Sequence, residues 1–382
     1  MFSLPSILLN NVPFIQPEHK QFLRQEAKDL VLYLENDLLE GLSPLQIVVF
    51  TMIVFFVIRF VGSLYKVLRK TNKSKIMEKL FRMAAVIPQV KSYINKESDK
   101  TLKSVTEKYR KLRAGKTFLK LPDVGLSQTA ILDKVRNYAE GCRKFYTDGG
   151  NVSGAVYCSD DAHWNFISEV MRHSIVSNPL HIDEFIYVTQ MEAEIIRWTL
   201  DLYNGDKESC GVVTSGGTES ILLAMLAYKE KAKREKGVTE PNIVMSETAH
   251  CAFDKACFYF GIELRKVPIS NDFMCDFAGI KRNIDSNTIC IVASCPEYAF
   301  GTYDPVEKIA ALAQSYGIGC HSDCCLGSYI NPFIAKNGYD NPNVFDFRVP
   351  GVTSISCDPH KYAYGPKGCS ITLFREKSLR EY

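Results

Sequence analysis

Four clusters in the second half of the chain carry residue types able to do chemistry, and each has an ordinary structural alternative. Thr214-Ser-Gly-Gly-Thr-Glu-Ser220 stands between a β-branched run and a helical stretch. Its glycines let the backbone close on an anion, the helix start supplies free N–H groups and a positive dipole end, and Thr218 adds a hydroxyl. It lacks the lysine and spacing of a nucleotide P-loop, and the same residues also make an everyday helix N-cap. His250 follows a strand, where an imidazole either stacks on a planar ring or caps the next helix. Asp323 closes the run Gly317-Ile-Gly-Cys-His-Ser-Asp323. It is either a carboxylate that keeps a ring nitrogen protonated or a turn residue. Lys361, in Ser356-Cys-Asp-Pro-His-Lys-Tyr362, offers an amine for an aldehyde if partly desolvated, and is a solvated turn lysine otherwise.

These residues need a scaffold that brings distant loops together. Strands are expected over 210–214, 242–245, 288–294, 319–321, 352–356 and 370–374, with helices over 220–233, 253–260 and 306–316. Strands separated by helices of this length predict an α/β domain: a mainly parallel sheet with helices on both faces. In such a sheet ligands bind beyond the C-terminal strand ends, which is where the four clusters fall. The domain is expected to begin near Leu121, where Pro-Asp-Val-Gly-Leu-Ser marks a turn and a helix start at Ser127.

The composition is that of a globular protein: 382 residues, 46% apolar, 23% charged and a net charge of +3, which gives no reason to expect nucleic-acid binding. The 13 cysteines all lie at or beyond Cys142, and none forms a Cys-x-x-Cys pair. Thiols so spaced argue for a reducing compartment. Cys320, His321, Asp323 and Cys324 tempt a metal reading, but without a second ligand pair they read better as small residues on a buried strand and its exit. No metal is expected.

Ile47 to Tyr65 is an apolar run broken by one charge, Arg59. As a helix it would extend about 28 Å, enough to cross a bilayer. Acidic residues predominate before it, and Lys66, Arg69, Lys70, Lys73, Lys75, Lys79 and Arg82 follow it. The positive-inside rule then puts residues 1–46 on the lumenal side, a basic juxtamembrane arm over 66–120 and a domain over 121–382 in the cytosol.

Taken in order, the glycine cradle, His, Asp and His-Lys resemble the fold-type I pyridoxal-phosphate enzymes. Within that class the chain from Ser127 onward resembles the sphingosine-1-phosphate lyases. The resemblance rests on Asn151–Tyr157, Ser177–His181, Met191–Ile195, Thr214–Ala224, Asp346–Ser356 and His360–Gly368, together with the expected anchor. It implies a fold-type I large domain behind one transmembrane helix, a homodimer, an endoplasmic reticulum membrane location, and a C-terminal small domain that the residues up to Tyr382 do not include. It also implies pyridoxal 5'-phosphate as cofactor. Lys361 would hold the cofactor, Asp323 would pair with its ring nitrogen and His250 would stack on it, with Gly217, Thr218 and His360 around its phosphate. Asn178 and His181 would bind the substrate phosphate, and Tyr157 and Lys367 would stand at the reacting carbons. The implied reaction is retro-aldol cleavage of a phosphorylated long-chain base to phosphoethanolamine and a long-chain aldehyde. Two other readings are an amino-acid decarboxylase and a catalytically silent membrane protein with an interaction or regulatory role.

Overall fold

The computed structural model describes residues 83–112, 120–143, 154–340 and 343–382, with scattered positions between 43 and 81. The expected span at 47–65 falls mostly outside the described residues, as do nearly all of 1–46 and residues 66–80. Among the described residues no helix is long and apolar enough to cross a membrane. The chain divides into two compact units, Met1–Asp123 and Val124–Tyr382. The first contains helix α1 (Pro88–Leu112), charged along most of its length and largely exposed.

The second unit starts with three helices, α2 (Gln128–Arg143), α3 (Asp161–Ser174) and α4 (Ile186–Leu202). Asp160 caps α3, accepting from the Ala162 amide at 2.9 Å. Strands and helices then alternate: β1 (Cys210–Thr214), α5 (Gly217–Lys236), β2 (Asn242–Ser246), α6 (Ala252–Phe260), β3 (Glu263–Val267), α7 (Phe277–Asn283), β4 (Thr288–Ser294), α8 (Val306–Ser315) and β5 (Gly319–Asp323). After β6 (Ser354–Cys357) and β7 (Ser370–Phe374) comes the short helix α9 (Lys377–Arg380).

The seven strands form one sheet in the order β1-β7-β6-β5-β4-β2-β3. All run one way except β7, which is antiparallel to both β1 and β6. The reversal follows from the connection. Parallel neighbours need a crossover, usually a helix, whereas residues 358–369 form an irregular loop that turns back over the strand ends. That loop carries Lys361.

Side chains alternate across the sheet and build two cores. On one face Ile243, Met245, Cys290 and Val292 pack with α5 and α6, through Ile221, Met225 and Phe253. On the other, Val244, Ile291, Ala293 and Ile355 pack with α8 and α7, through Ile309, Ala310, Ala313 and Ile280. Helices on both faces of a mainly parallel sheet are what the sequence pattern predicts. Two elements escape that pattern. Strand β3 reads Glu-Leu-Arg-Lys-Val, polar because it is the sheet edge, and α7 is only seven residues long. Several bounds differ by one to three residues, and those at the site matter most. Strand β5 ends on Asp323, the strand end expected for it, and Asp323 is still in the ladder, paired with Ser356. Helix α5 begins at Gly217, inside the glycine cluster.

Candidate active site

The C-terminal ends of β1, β5 and β6 lie along one edge of the sheet, and the loops leaving them meet there. A Cβ placed on Gly217, the first residue of α5, would lie 2.9 Å from both Asp358 oxygens and 2.9 Å from Cys325 Sγ. One on Gly216 would lie 3.8 Å from the His360 ring. Close approach thus requires the glycine at 217, where the cradle is pressed against the lysine loop and the exit of β5, whereas a Cβ at 216 would make only ordinary contact. Ser215 donates from both its amide and its hydroxyl to Glu219 Oε2 at 2.7 Å, fixing the first turn of α5. Thr218 is exposed at the second helical position.

The Lys361 loop is tied by its own backbone. The Lys361 amide donates to Asp358 O at 3.0 Å and the Tyr364 amide to Lys361 O at 3.2 Å. The Cys369 amide donates to His360 Nδ1 at 3.3 Å, so a neutral His360 carries its proton on Nε2. Burial holds His360 below the usual imidazole range against the pull of Asp358, which favours that neutral form. Lys361 Nζ lies 2.9 Å from Asp358 Oδ2. Burial alone would lower its affinity for a proton, but its neighbours outweigh burial and hold the ammonium above the ordinary lysine range. Cys325 stands among those neighbours; burial pushes its thiol well up, so it is neutral at neutral pH and the carboxylates of Asp358 and Asp323 do the holding.

Asp323 is buried, and both of its hydrogen bonds use one oxygen. Oδ1 accepts from Ser356 Oγ at 3.0 Å and from the Cys325 amide at 3.1 Å, which leaves Oδ2 for a ring nitrogen. Behind Asp323 runs a polar chain through the sheet. Ser356 gives its proton to Asp323, so His321 Nε2 must donate to Ser356 Oγ (3.1 Å), and Nδ1 accepts from Ser354 Oγ (2.7 Å). Ser354 in turn bonds the Tyr228 hydroxyl. Burial depresses His321 to about 4 against the opposing pull of Asp323, so it is neutral at physiological pH.

Beside Lys361 a cleft of about 330 Å³ is lined by Tyr157, Trp164, His360, Lys361, Tyr364 and Lys367, among others. Lys367 Nζ sits over the Tyr157 ring, 4.2 Å from its centroid, and 3.4 Å from His360 O. Burial, then the charge of Lys361, pulls the Lys367 ammonium down. Burial raises the Tyr157 phenol despite the opposing pull of Lys361, and its hydroxyl donates to Gly154 O at 2.8 Å. A protonated phenol and a weakened ammonium therefore stand together next to the lysine amine.

The structure thus brings Gly217, Asp323, His360, Lys361, Tyr157 and Lys367 into one neighbourhood. Asn178 and His181 are not among the residues lining this cleft. They lie exposed on the loop between α3 and α4, where Asn178 Oδ1 accepts from the Leu180 amide at 3.1 Å. His250 follows β2 at the same sheet edge; its Nδ1 accepts from the Ala252 amide at 3.1 Å, so it caps α6, and its ring meets Tyr298 edge-on with centroids 5.8 Å apart. Capping fixes the imidazole plane and is compatible with stacking. Three residues in the site carry no role in the sequence reading: Asp358, Ser356 and His321. Asp358 stands three residues before Lys361 in a turn, a spacing that places a carboxylate beside an amine. The serines alternate along β6, and only the register with β5 shows that they serve His321 and Asp323. Among the described residues no three His, Cys, Asp or Glu side chains are grouped as a metal would require, and all thirteen cysteines are unpaired.

An α/β domain whose sheet edge joins a glycine cradle at a helix start, a buried carboxylate and a carboxylate-paired lysine is a cofactor-binding domain of the pyridoxal-phosphate class. Residues 155–380 match the pyridoxal-dependent decarboxylase conserved domain, and the chain belongs to that family. It is 40% identical over 310 residues to sphingosine-1-phosphate lyase 1 of Rattus norvegicus, covering 81% of this chain and 54% of that protein. It is 37% identical over 329 residues to the sphingosine-1-phosphate lyase of Saccharomyces cerevisiae, covering 85% of this chain and 56% of that protein. The chain spans about half the length of these curated relatives. Among solved structures, a sphingosine-1-phosphate lyase from Burkholderia pseudomallei superposes with a TM-score of 0.67 at 35% identity, covering 69% of this chain and 62% of that one. A Lactobacillus brevis glutamate decarboxylase, at 23% identity and a TM-score of 0.58, shares the fold.

The residues present fit pyridoxal 5'-phosphate. The cradle is one that a Cβ at Gly217 would fill, the N–H groups at the start of α5 suit a phosphate, and His360 Nε2–H adds a donor. Asp323 Oδ2 suits a protonated ring nitrogen, and Lys361 is the amine for the aldehyde.

Proposed function

We propose that this chain carries the cofactor-binding large domain of a carbon–carbon lyase that cleaves phosphorylated long-chain bases, such as sphingosine 1-phosphate, to phosphoethanolamine and a long-chain aldehyde. The observation that carries the reading is the Tyr157–Lys367 pair beside Lys361. A retro-aldol cleavage needs a group that takes a proton from the C3 hydroxyl, close to the site where the substrate amine is held. The names of the relatives supply the substrate class.

When bound, the cofactor supplies an electron sink for the bond that breaks. The chain's own residues do the rest. Asp323 keeps the ring nitrogen charged, and the Ser356–His321 chain holds Asp323 in orientation. Lys361 would hold the cofactor by its amine, at the place where the substrate amine is to bind. Lys367, whose ammonium is weakened by burial and by Lys361, would as the neutral amine accept the C3 hydroxyl proton, while the Tyr157 phenol would turn its O–H from Gly154 O to the substrate oxygen.

The same proposal includes a homodimer, a membrane anchor at Ile47–Tyr65 and an endoplasmic reticulum location with the Val124–Tyr382 unit in the cytosol. Phe166, Ile175, Val176, Leu180, Ile186 and Trp198 are exposed apolar side chains on α3, α4 and their connection, which suits contact with a second copy. In the dimer we assign Asn178 and His181 to the partner subunit's cleft, as ligands of the substrate phosphate. Val49, Met52, Ile53, Phe56 and Val57 are exposed apolar side chains within the expected span, which suits contact with lipid.

The test is to supply the detergent-solubilised chain with pyridoxal 5'-phosphate and a phosphorylated C18 sphingoid base and measure aldehyde. Release that disappears in Lys361→Ala is expected. Cofactor bound at Lys361 with carbon dioxide released from amino acids, and no aldehyde, would instead establish the decarboxylase reading.

A further inference from the structure

Asp358 is a buried carboxylate at this site whose chemistry the proposed reaction does not use. It is 2% exposed, and its Oδ1 is a buried atom with no hydrogen-bond partner. Both of its oxygens lie against Gly217 at the start of a twenty-residue helix, where a Cβ would come within 2.9 Å of each. Its Oδ2 holds Lys361 Nζ at 2.9 Å, with His360 Nε2 at 3.7 Å. A buried carboxylate oxygen without a donor is costly. Placed at the positive end of a helix dipole and beside an ammonium, it is tolerated because the site is built for an anion.

We propose that Asp358 is a positioning residue for cofactor capture: its carboxylate stands at the anion cradle of α5 and holds Lys361 as an ion-pair partner, so the phosphate and the aldehyde of the incoming cofactor both compete with it. The inference rests on the cofactor reading of this site. Its chemical content is simple. Capture forms a bond between the Lys361 nitrogen and the aldehyde carbon, and the aldehyde oxygen leaves as water. Only the neutral amine can do this, so the Lys361 ammonium must first surrender a proton to solvent. A carboxylate at ion-pair distance slows that step; an opposite charge this close changes proton affinity by roughly tenfold to a thousandfold. The other groups facing Lys361 divide: Asp323 also favours the ammonium, Lys367 opposes it, and Cys325, Tyr157 and neutral His360 carry no charge at neutral pH. Asp358 is therefore the residue whose removal changes the balance most.

The experiment needs no cofactor in its first arm. Trace acetylation of the full chain with acetic anhydride across a pH series, read by peptide mass spectrometry, follows Lys361 against the exposed Lys281. In the native chain Lys361 should titrate at higher pH than Lys281; titration at or below Lys281 overturns the proposal without any variant. In the isosteric Asp358→Asn chain the reactivity of Lys361 at about pH 8 should rise tenfold or more. Unchanged reactivity in a folded variant overturns the proposal. In the second arm, borohydride trapping with pyridoxal 5'-phosphate should label Lys361 faster in Asp358→Asn than in the native chain. Slower labelling would mean that Asp358 assists capture, and would overturn the competition. Absence of labelling in both chains would count against the cofactor reading itself, while the acetylation arm would still decide the ion pair.

Discussion

Replacing His321 with glutamine tests the buried polar chain that steadies Asp323. His321 is fully buried on β5 between Ser354 and Ser356 and is held neutral to about pH 4, against an ordinary value of 6.5. A histidine whose folded-state value is depressed contributes stability that is present above 6.5 and is lost as the pH falls toward 4, because the unfolded chain binds the proton first. Linkage over that interval amounts to roughly 2–3 kcal/mol by about pH 4.5. Glutamine does not titrate. At pH 7 the variant should already be weaker by about 1–3 kcal/mol for its imperfect hydrogen bonds. Between pH 7 and about 4.5, however, it should lose roughly 2–3 kcal/mol less than the native chain. Urea unfolding of both chains at both pH values, followed by circular dichroism, gives the double difference, in which all other titrating groups cancel. Equal losses in the two chains would refute the reasoning, since His321 would then titrate alike whether folded or unfolded.

Three further outcomes follow from the geometry. Gly319→Ala would put a Cβ 2.2 Å from the Tyr228 ring and should destabilise by about 1–3 kcal/mol or more in urea; an unchanged midpoint would mean that the ring moves aside freely. Asp323→Asn removes a charge-assisted bond worth about 1.5–3 kcal/mol and should weaken pyridoxal 5'-phosphate binding some tenfold to hundredfold in an absorbance titration; equal affinity would separate Asp323 from the ring nitrogen. Lys367→Met should leave cofactor affinity intact while lowering kcat for the phosphorylated base by about a hundredfold or more and removing the rise of kcat with pH; retention of that rise would assign the base elsewhere.

Much of the site is legible in the sequence because its residues lie at the ends of strongly apolar strands. Cys210–Thr214 and Asn242–Ser246 stand out as short runs rich in apolar residues, so the glycine cluster and His250 that follow them are recognisable as loops at the ligand-binding edge. What stays hidden is set by contacts across the sheet. The Ser354 and Ser356 side chains look like ordinary polar positions until β6 is laid beside β5, where they become the two partners of His321. Asp358 carries no signal beyond its place in a turn; its meaning depends on Gly217, which is distant in sequence and touches it only through packing at the start of α5. The reversed strand β7 is hidden for a similar reason, since its apolar run reads alike in either direction. Asn178 and His181 are readable as a motif, but in one copy of the chain they lie on an exposed loop away from the lysine cleft.

Lys361 is the residue proposed to take the cofactor. Incubating the full chain with pyridoxal 5'-phosphate, reducing with borohydride and mapping peptides by mass spectrometry should place a pyridoxyl group on Lys361, with none in Lys361→Ala. A pyridoxyl group on another lysine, or on none, would contradict it.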